Sequence, residues 1–82
     1  MTKVTVLYFG QSREISGLAE EEFTIPEGSS LPVLIKAVGD RHAKLRRFAE
    51  SMQVAVNEEV AEGNERLKEG DAVALLPPVA GG

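Results

Sequence analysis

The 82-residue sequence predicts one α+β domain in which a mixed sheet packs against one main helix. Two strand-like segments near the N-terminus are followed by a helical pattern, and the chain then returns to short strand-like segments. The hydrophobic fraction of 43% and the charged fraction of 27% are those of an ordinary globular protein. A chain of this length is expected to bury a single small core.

The first strand is predicted over residues 3–9, where β-branched and aromatic residues dominate. Alternate side chains of this strand are expected to face the helix: Val4, Val6 and Tyr8. Leu7 and Phe9 would then face outward. A short helical turn is predicted over residues 12–16, and a second strand over residues 20–25.

The main helix is predicted to begin after Ser29 or Ser30, either of which can serve as its N-cap. Pro32 fits the first turn, where a missing N–H has no cost. Apolar residues then recur at helical spacing: Leu31, Leu34, Ile35 and Val38. A second helical stretch is predicted over residues 43–51, with Leu45, Phe48 and Ala49 on one side.

Three further extended segments are predicted: residues 54–56, the chain at Val60, and residues 72–76. The turns between them are expected at residues 57–59 and 69–71. The connection through the helix should place the last strand parallel to the first.

Apolar side chains are expected on the outward face of the sheet: Leu7, Phe9, Leu76 and, beside them, Val60. An open face is usually polar, so an apolar patch there is typical of a partner-binding surface. Two alternatives are a shift of the strand assignment by one residue and a loop that covers the patch.

Composition argues against several classes of function. The net charge of −4 disfavours nucleic-acid binding. The one basic cluster has no interleaved aromatic residues and is expected to be a solvated helix face: Arg41, His42, Lys44, Arg46 and Arg47. The absence of cysteine excludes disulfides and thiolate metal sites. The longest apolar run, residues 72–80, is too short to span a bilayer. We therefore expect a cytoplasmic protein that binds neither nucleic acid nor membranes.

The sequence predicts no catalytic residue, no metal ligand and no permanently bound cofactor. His42 is the only histidine and is expected at the surface without a serine partner. The acidic runs at residues 20–22 and 58–59 lack the spacing of a calcium loop or a carboxylate pair, and they are expected to be solubilising charge. No glycine-rich phosphate loop is present.

The C-terminus is the one candidate for chemistry, and we predict a domain over residues 1–76 followed by a flexible tail over residues 77–82. The tail can extend about 20 Å at most, enough to reach into another protein. Adenylation of its carboxylate with ATP would allow a sulfur nucleophile to displace AMP and leave a thiocarboxylate. Gly82 is the predicted adenylation and thiocarboxylate site. The rest of the tail is stiff at its start and thin at its end: Pro77, Pro78, Val79, Ala80 and Gly81. A merely floppy chain end is the alternative.

Three segments resemble the small subunit of molybdopterin synthase, the MoaD family. The first is Val6-Leu7-Tyr8-Phe9-Gly10 with Arg13-Glu14 and Gly17, the second is Val54-Ala55-Val56-Asn57, and the third is Leu67 with the chain from Glu69 to Gly82. The resemblance spans nearly the whole chain, and residues 31–52 are its least diagnostic part. Ala80 stands where serine or threonine is more usual.

The resemblance implies a β-grasp, ubiquitin-like fold and a non-catalytic sulfur-donor subunit of a sulfurtransferase. Gly82 would be adenylated by an E1-like enzyme that uses ATP, and a sulfur donor system would convert it to a thiocarboxylate. The loaded chain would dock on the large catalytic subunit, in a heterotetramer, and give sulfur to a cyclic pyranopterin monophosphate to form the molybdopterin dithiolene. The family binds its partners through hydrophobic sheet positions, which Phe9, Val60 and Leu76 match here.

Other functions share the fold and the Gly-Gly end. The chain could be a sulfur carrier for thiazole or cysteine synthesis, or a ubiquitin-like protein modifier. The Pro-Pro-Val approach and the Tyr-Phe-Gly segment favour the molybdopterin pathway. A plain binding module with an inert tail is the third hypothesis.

Overall fold

The computed structural model describes residues 1–47 and 52–76. Its elements follow in this order: β1 (Thr2–Tyr8), α1 (Gln11–Ser16), β2 (Glu20–Ile25), α2 (Leu31–Arg41), a 3₁₀ helix (Ala43–Arg47), β3 (Gln53–Val56), β4 (Glu59–Val60) and β5 (Ala72–Leu76). The strands form one mixed sheet in the order β2-β1-β5-β3-β4. β1 is antiparallel to β2 and parallel to β5, which confirms the predicted α+β arrangement.

The helices differ from the prediction in detail. Ser30 is the N-cap residue of α2, but its side chain makes no capping hydrogen bond. The predicted second helical stretch is a 3₁₀ helix over Ala43–Arg47, and Leu45 is buried as expected. Phe48 and Ala49 lie outside the described residues.

The core lies between the sheet and α2. Its sheet members alternate along the strands as predicted: Val4, Val6, Tyr8, Phe23, Ile25, Val73 and Leu75. The helical side and the loops complete it: Leu31, Leu34, Val38, Leu45, Met52 and Leu67. One face of the sheet is therefore covered, and the other remains open.

The turn between β3 and β4 contains two residues, Asn57 and Glu58, with φ angles of 50° and 71°. Positive φ at both central positions is the type I′ hairpin, whose twist matches that of the strands. The predicted turn also included Glu59, which instead begins β4. The Asn57 side chain donates to the Asp71 carboxylate and accepts the Ala72 N–H, both at 2.9 Å, so the hairpin is tied to the start of β5.

Candidate partner-binding face and root of the tail

The open face of the sheet carries an apolar row that crosses four strands. Leu7 on β1 pairs with Ala74 on β5, Ala74 pairs with Ala55 on β3, and Ala55 pairs with Val60 on β4. Paired residues lie on the same face, so these side chains form a continuous band. Val60 is the most open of them, with 66% of its surface exposed.

Phe9 and Leu76 extend this band toward the tail. They directly follow the paired residues Tyr8 and Leu75, so both lie at the end of the sheet from which the tail leaves. Phe9 is 44% exposed, whereas Leu76 is partly buried. We call Leu7, Phe9, Val60 and Leu76 the open-face patch. The structure thus brings the four predicted interface residues to one face of the sheet.

The patch is bordered by acidic groups on the β2 side. Glu20 pairs with Leu7 and Glu22 pairs with Thr5, so both carboxylates lie on the open face and are exposed. Glu21 between them points to the opposite face. The run of three glutamates is therefore divided between two environments.

Glu21 belongs to a polar network on the covered side of the sheet, which corrects its assignment to solubilising charge. Its carboxylate accepts a hydrogen bond of 2.8 Å from the Tyr8 hydroxyl and one of 3.1 Å from the Arg41 guanidinium. His42 Nε2 lies 2.8 Å from the same carboxylate, and only 18% of its side chain is exposed. His42 is therefore not a free surface residue, and Arg41 is not simply part of a solvated helix face.

The network shifts the ionisation of two of its members. Burial alone would raise the pKa of Glu21, but the hydrogen bonds from His42, Tyr8 and Arg41 outweigh it and lower that pKa. Burial, followed by the hydrogen bond to Glu21, strongly raises the pKa of Tyr8. Both shifts favour a neutral tyrosine bonded to an ionised carboxylate.

The predicted chemical site, Gly82, and the tail residues before it lie outside the described residues, as do Pro77 and Pro78. Leu76 is the last described residue before them. Within residues 1–47 and 52–76, the side chains of His, Asp and Glu form no group of three that could hold a metal ion. None of the helices in the same ranges is long and apolar enough to cross a membrane.

Sequence reasoning missed one residue at the tail root. Ser12 is fully buried, and its hydroxyl contacts the backbone of both Phe9 and Leu75. The sequence placed it only in a helical turn, because nothing local shows that a residue 63 positions away lies against it.

Comparison with known proteins identifies the family. The model of the ThiS family matches residues 6–82. The molybdopterin synthase sulfur carrier subunit of Mycobacterium tuberculosis is 37% identical, over 100% of both chains. The subunit of the same name from Chlamydomonas reinhardtii is 34% identical, over 98% of this chain and 99% of its own.

Solved structures agree on the fold. A Pyrococcus furiosus protein provisionally assigned as molybdopterin converting factor, subunit 1, has a TM-score of 0.88 and 36% identity, over 96% of this chain and 100% of its own. Small archaeal modifier protein 1 from Methanosarcina acetivorans has a TM-score of 0.82 and 25% identity, over 100% and 98%. In the complex of subunits 1 and 2 of the Helicobacter pylori molybdopterin-converting factor, one chain has a TM-score of 0.72 and 28% identity, over 99% and 100%.

The architecture is thus the predicted β-grasp, ubiquitin-like fold. The relatives are sulfur carrier subunits of a synthase, in agreement with a sulfur-donor subunit that is no enzyme on its own. The chain therefore belongs to the ThiS family and is related over its full length to the sulfur carrier subunits of molybdopterin synthase.

Proposed function

We propose that this chain is the sulfur carrier subunit of molybdopterin synthase and that Gly82 carries the sulfur. The observation that supports this most strongly is full-length similarity to subunits of that name, at 37% identity, with a family match that runs to residue 82. The open-face patch adds physical support, because two of its residues, Phe9 and Leu76, lie at the end of the sheet from which the tail leaves.

The chemistry proposed for the tail needs two steps on the carboxylate of Gly82. An E1-like enzyme joins this carboxylate to the α-phosphate of ATP and releases pyrophosphate. A sulfide-level nucleophile from the donor system then attacks the Gly82 carbonyl carbon. The new C–S bond replaces the C–O bond to AMP, which leaves, and the C-terminus becomes a thiocarboxylate. On delivery, the thiocarboxylate sulfur bonds to a carbon of the cyclic pyranopterin monophosphate and forms a thioester. Water then cleaves the bond between the Gly82 carbonyl carbon and the sulfur, which leaves the sulfur on the pterin and returns the Gly82 carboxylate. Two loaded chains supply the two sulfurs of one dithiolene.

Docking on the large catalytic subunit is proposed to use the open-face patch. A band with exposed Phe9 and Val60 is typical of a surface that is covered in a complex. The H. pylori complex of subunits 1 and 2 supports a large-subunit partner for this type of chain. A heterotetramer, with two carriers on a dimer of large subunits, remains our prediction.

Catalysis is assigned to the partners. The tail supplies the reactive group, whereas the activating enzyme uses ATP and the large subunit binds the precursor. The chain itself needs only a stable domain, a docking face and a thin tail that enters a narrow site. We expect these encounters in the cytoplasm.

Reconstitution with purified components tests the proposal. The chain is loaded to the thiocarboxylate and mixed with the large subunit and the pterin precursor, and dithiolene formation is measured. Removal of Gly81 and Gly82 should abolish the product, while replacement of the exposed Val33 on α2 by Ala is a matched control that should not. Loaded, folded chain that gives no dithiolene would contradict the proposed pathway.

A protein modifier is the second candidate, because small archaeal modifier protein 1 of M. acetivorans shares the fold at 25% identity. A modifier would form an amide between its C-terminal glycine and a lysine of another protein. Mass spectrometry of tagged chain from its host separates the two. Lys68 is the last tryptic site of the chain, so a modified lysine would carry residues 69–82 after digestion. That remnant on lysines of other proteins would favour the modifier, and thiocarboxylate without it would favour the carrier.

A further inference from the structure

The Ser12 hydroxyl replaces one backbone hydrogen bond between β1 and β5. Lower in this parallel pair, the Thr5 N–H donates to the Asp71 carbonyl oxygen at 2.9 Å. In a parallel pair, the equivalent N–H···O hydrogen bond recurs every two residues along both strands. Four residues beyond Thr5 and Asp71, the regular pattern would therefore join the Phe9 N–H to the Leu75 carbonyl oxygen. Ser12 Oγ instead lies between those two groups, 3.0 Å from Phe9 N and 3.0 Å from Leu75 O.

The hydroxyl can satisfy both neighbours at once. A serine hydroxyl has one proton to donate and lone pairs to accept with. It accepts the Phe9 N–H, and its proton lies within reach of the Phe9 and Leu75 carbonyl oxygens, at 2.9 and 3.0 Å. The Phe9 oxygen already receives the Ser12 N–H at 3.1 Å, so the hydroxyl proton is best used on Leu75. Ser12 is 0% exposed, and bulk water therefore does not compete for these bonds.

This hydrogen-bonded bridge lies where the proposed docking surface meets the start of the tail. Phe9 belongs to the open-face patch, and Leu75 immediately precedes Leu76, the last residue before the tail. Two hydrogen bonds in series span a wider gap than the single N–H···O bond of a normal rung, which is about 2.9–3.0 Å long. Ser12 therefore sets the distance between the docking residue Phe9 and the strand that carries the tail.

We propose that Ser12 is a positioning residue for sulfur delivery, because it fixes the root of the tail relative to the docked face. Apolar contacts are non-directional, so the patch alone does not aim the tail. If the tail root is held rigidly relative to the patch, docking of the patch also fixes the direction in which the tail leaves the domain. A misplacement of about 1 Å at a reacting group can cost about 100-fold in rate. This inference rests on the proposed function.

Three substitutions of Ser12 distinguish the effect of its hydrogen bonds from the effect of its side-chain volume. Ser12→Ala removes the bridge, Ser12→Cys keeps a similar size with a weak donor, and Ser12→Thr keeps the hydroxyl. Ser16→Ala in the same helix is the matched control, because the Ser16 hydroxyl contacts the Arg13 and Leu18 carbonyls and not the tail root. Each chain is made chemically as the thiocarboxylate, so that enzymatic loading does not enter the result.

The readouts are the single-turnover rate of sulfur transfer at saturating large subunit and, separately, the affinity for that subunit. We expect Ser12→Ala and Ser12→Cys to lower the rate about 10- to 100-fold with unchanged affinity. Ser12→Thr should restore most of the rate, and Ser16→Ala should equal the wild type. In the free chain, amide hydrogen exchange at Phe9 should become faster in Ser12→Ala, which reports loss of the bridge without any activity assay.

Circular dichroism establishes that each variant is folded, and Ser12→Cys carries the test if Ser12→Ala is not. A folded variant without the bridge that transfers sulfur at the wild-type rate would overturn the inference. So would a loss confined to affinity, since a positioning residue acts after docking. Failure of the wild-type chain to transfer any sulfur would instead overturn the proposed function, and this inference with it.

Discussion

The Tyr8 hydroxyl donates a hydrogen bond of 2.8 Å to the Glu21 carboxylate, which links β1 to β2 on the covered side of the sheet. The same carboxylate also holds Arg41 and His42, at the C-terminal end of α2. Glu21 therefore fastens the main helix to the sheet edge.

Replacement of Glu21 by Ala should destabilise the domain. The buried Tyr8 hydroxyl would lose its acceptor, and an unsatisfied buried polar group costs about 1–3 kcal/mol in the free energy of unfolding. Urea denaturation at neutral pH measures this change. Glu22→Ala is the matched control, because Arg41 contacts only the backbone oxygen of Glu22, and the expected change is within about 0.5 kcal/mol. Equal losses in both variants would refute the role of Glu21.

The network also predicts a stability that depends on acidic pH. The pKa of Glu21 is lowered from 4.5 in the folded state, so its contribution is complete above pH 4.5 and is lost as the pH falls through the lower folded-state value. The Glu65 pKa is lowered as well, by backbone N–H groups of Glu62 and Gly63, and acts in the same direction.

The contribution of Glu21 is isolated by measuring the free energy of unfolding between neutral pH and pH 3 in chains that all carry Glu65→Gln. In that background, the additional Glu21→Gln change should flatten the decline below pH 4.5. An unchanged slope would show that Glu21 is not ionised more readily in the folded chain.

A charge at Val60, the most exposed residue of the open-face patch, should weaken docking without unfolding the domain. Val60 is 66% exposed, so Val60→Asp loses little packing but would place a carboxylate inside a desolvated interface. We expect at least about a tenfold loss of affinity for the large subunit, measured by calorimetry. Val33→Asp is the control, because Val33 is 43% exposed on α2, which lies on the other side of the sheet. Equal binding by both variants would contradict the assignment of the face.

The β3–β4 turn offers a stabilising substitution. Glu58 has a φ of 71°, a region that disfavours residues with a Cβ and suits glycine. Glu58→Gly should therefore raise the free energy of unfolding by about 0.5–1 kcal/mol, seen as a higher melting temperature. Glu59→Gly, one residue later in an extended strand, should lower it. A loss of stability in Glu58→Gly would show that the turn relaxes in solution.

Local sequence patterns predicted most of the fold. The bounds of β2 and β5 agree with the sequence, because alternating apolar residues and flanking turns define both. The role of Glu21 was missed although a signal existed. Glu21 has the same strand parity as Phe23 and Ile25, which should have directed it to the covered side.

The Ser12 bridge could not be predicted in this way. It depends on the meeting of α1 with a strand 63 residues later and on the phase of a parallel ladder, and neither leaves a local pattern. The open-face patch was predictable only in part from local sequence patterns. Alternation predicted Leu7 and Phe9, whereas the place of Val60 required the pairing of β4 with β3.

The intact mass of the chain after incubation with its activating enzyme, ATP and a sulfur source tests the central claim most directly. We predict a mass increase equal to the replacement of one oxygen by one sulfur, located on Gly82 by fragmentation and absent when Gly81 and Gly82 are removed. An unchanged mass of the folded, full-length chain, under conditions that load a related carrier, would contradict the assignment of Gly82 as the sulfur-carrying residue.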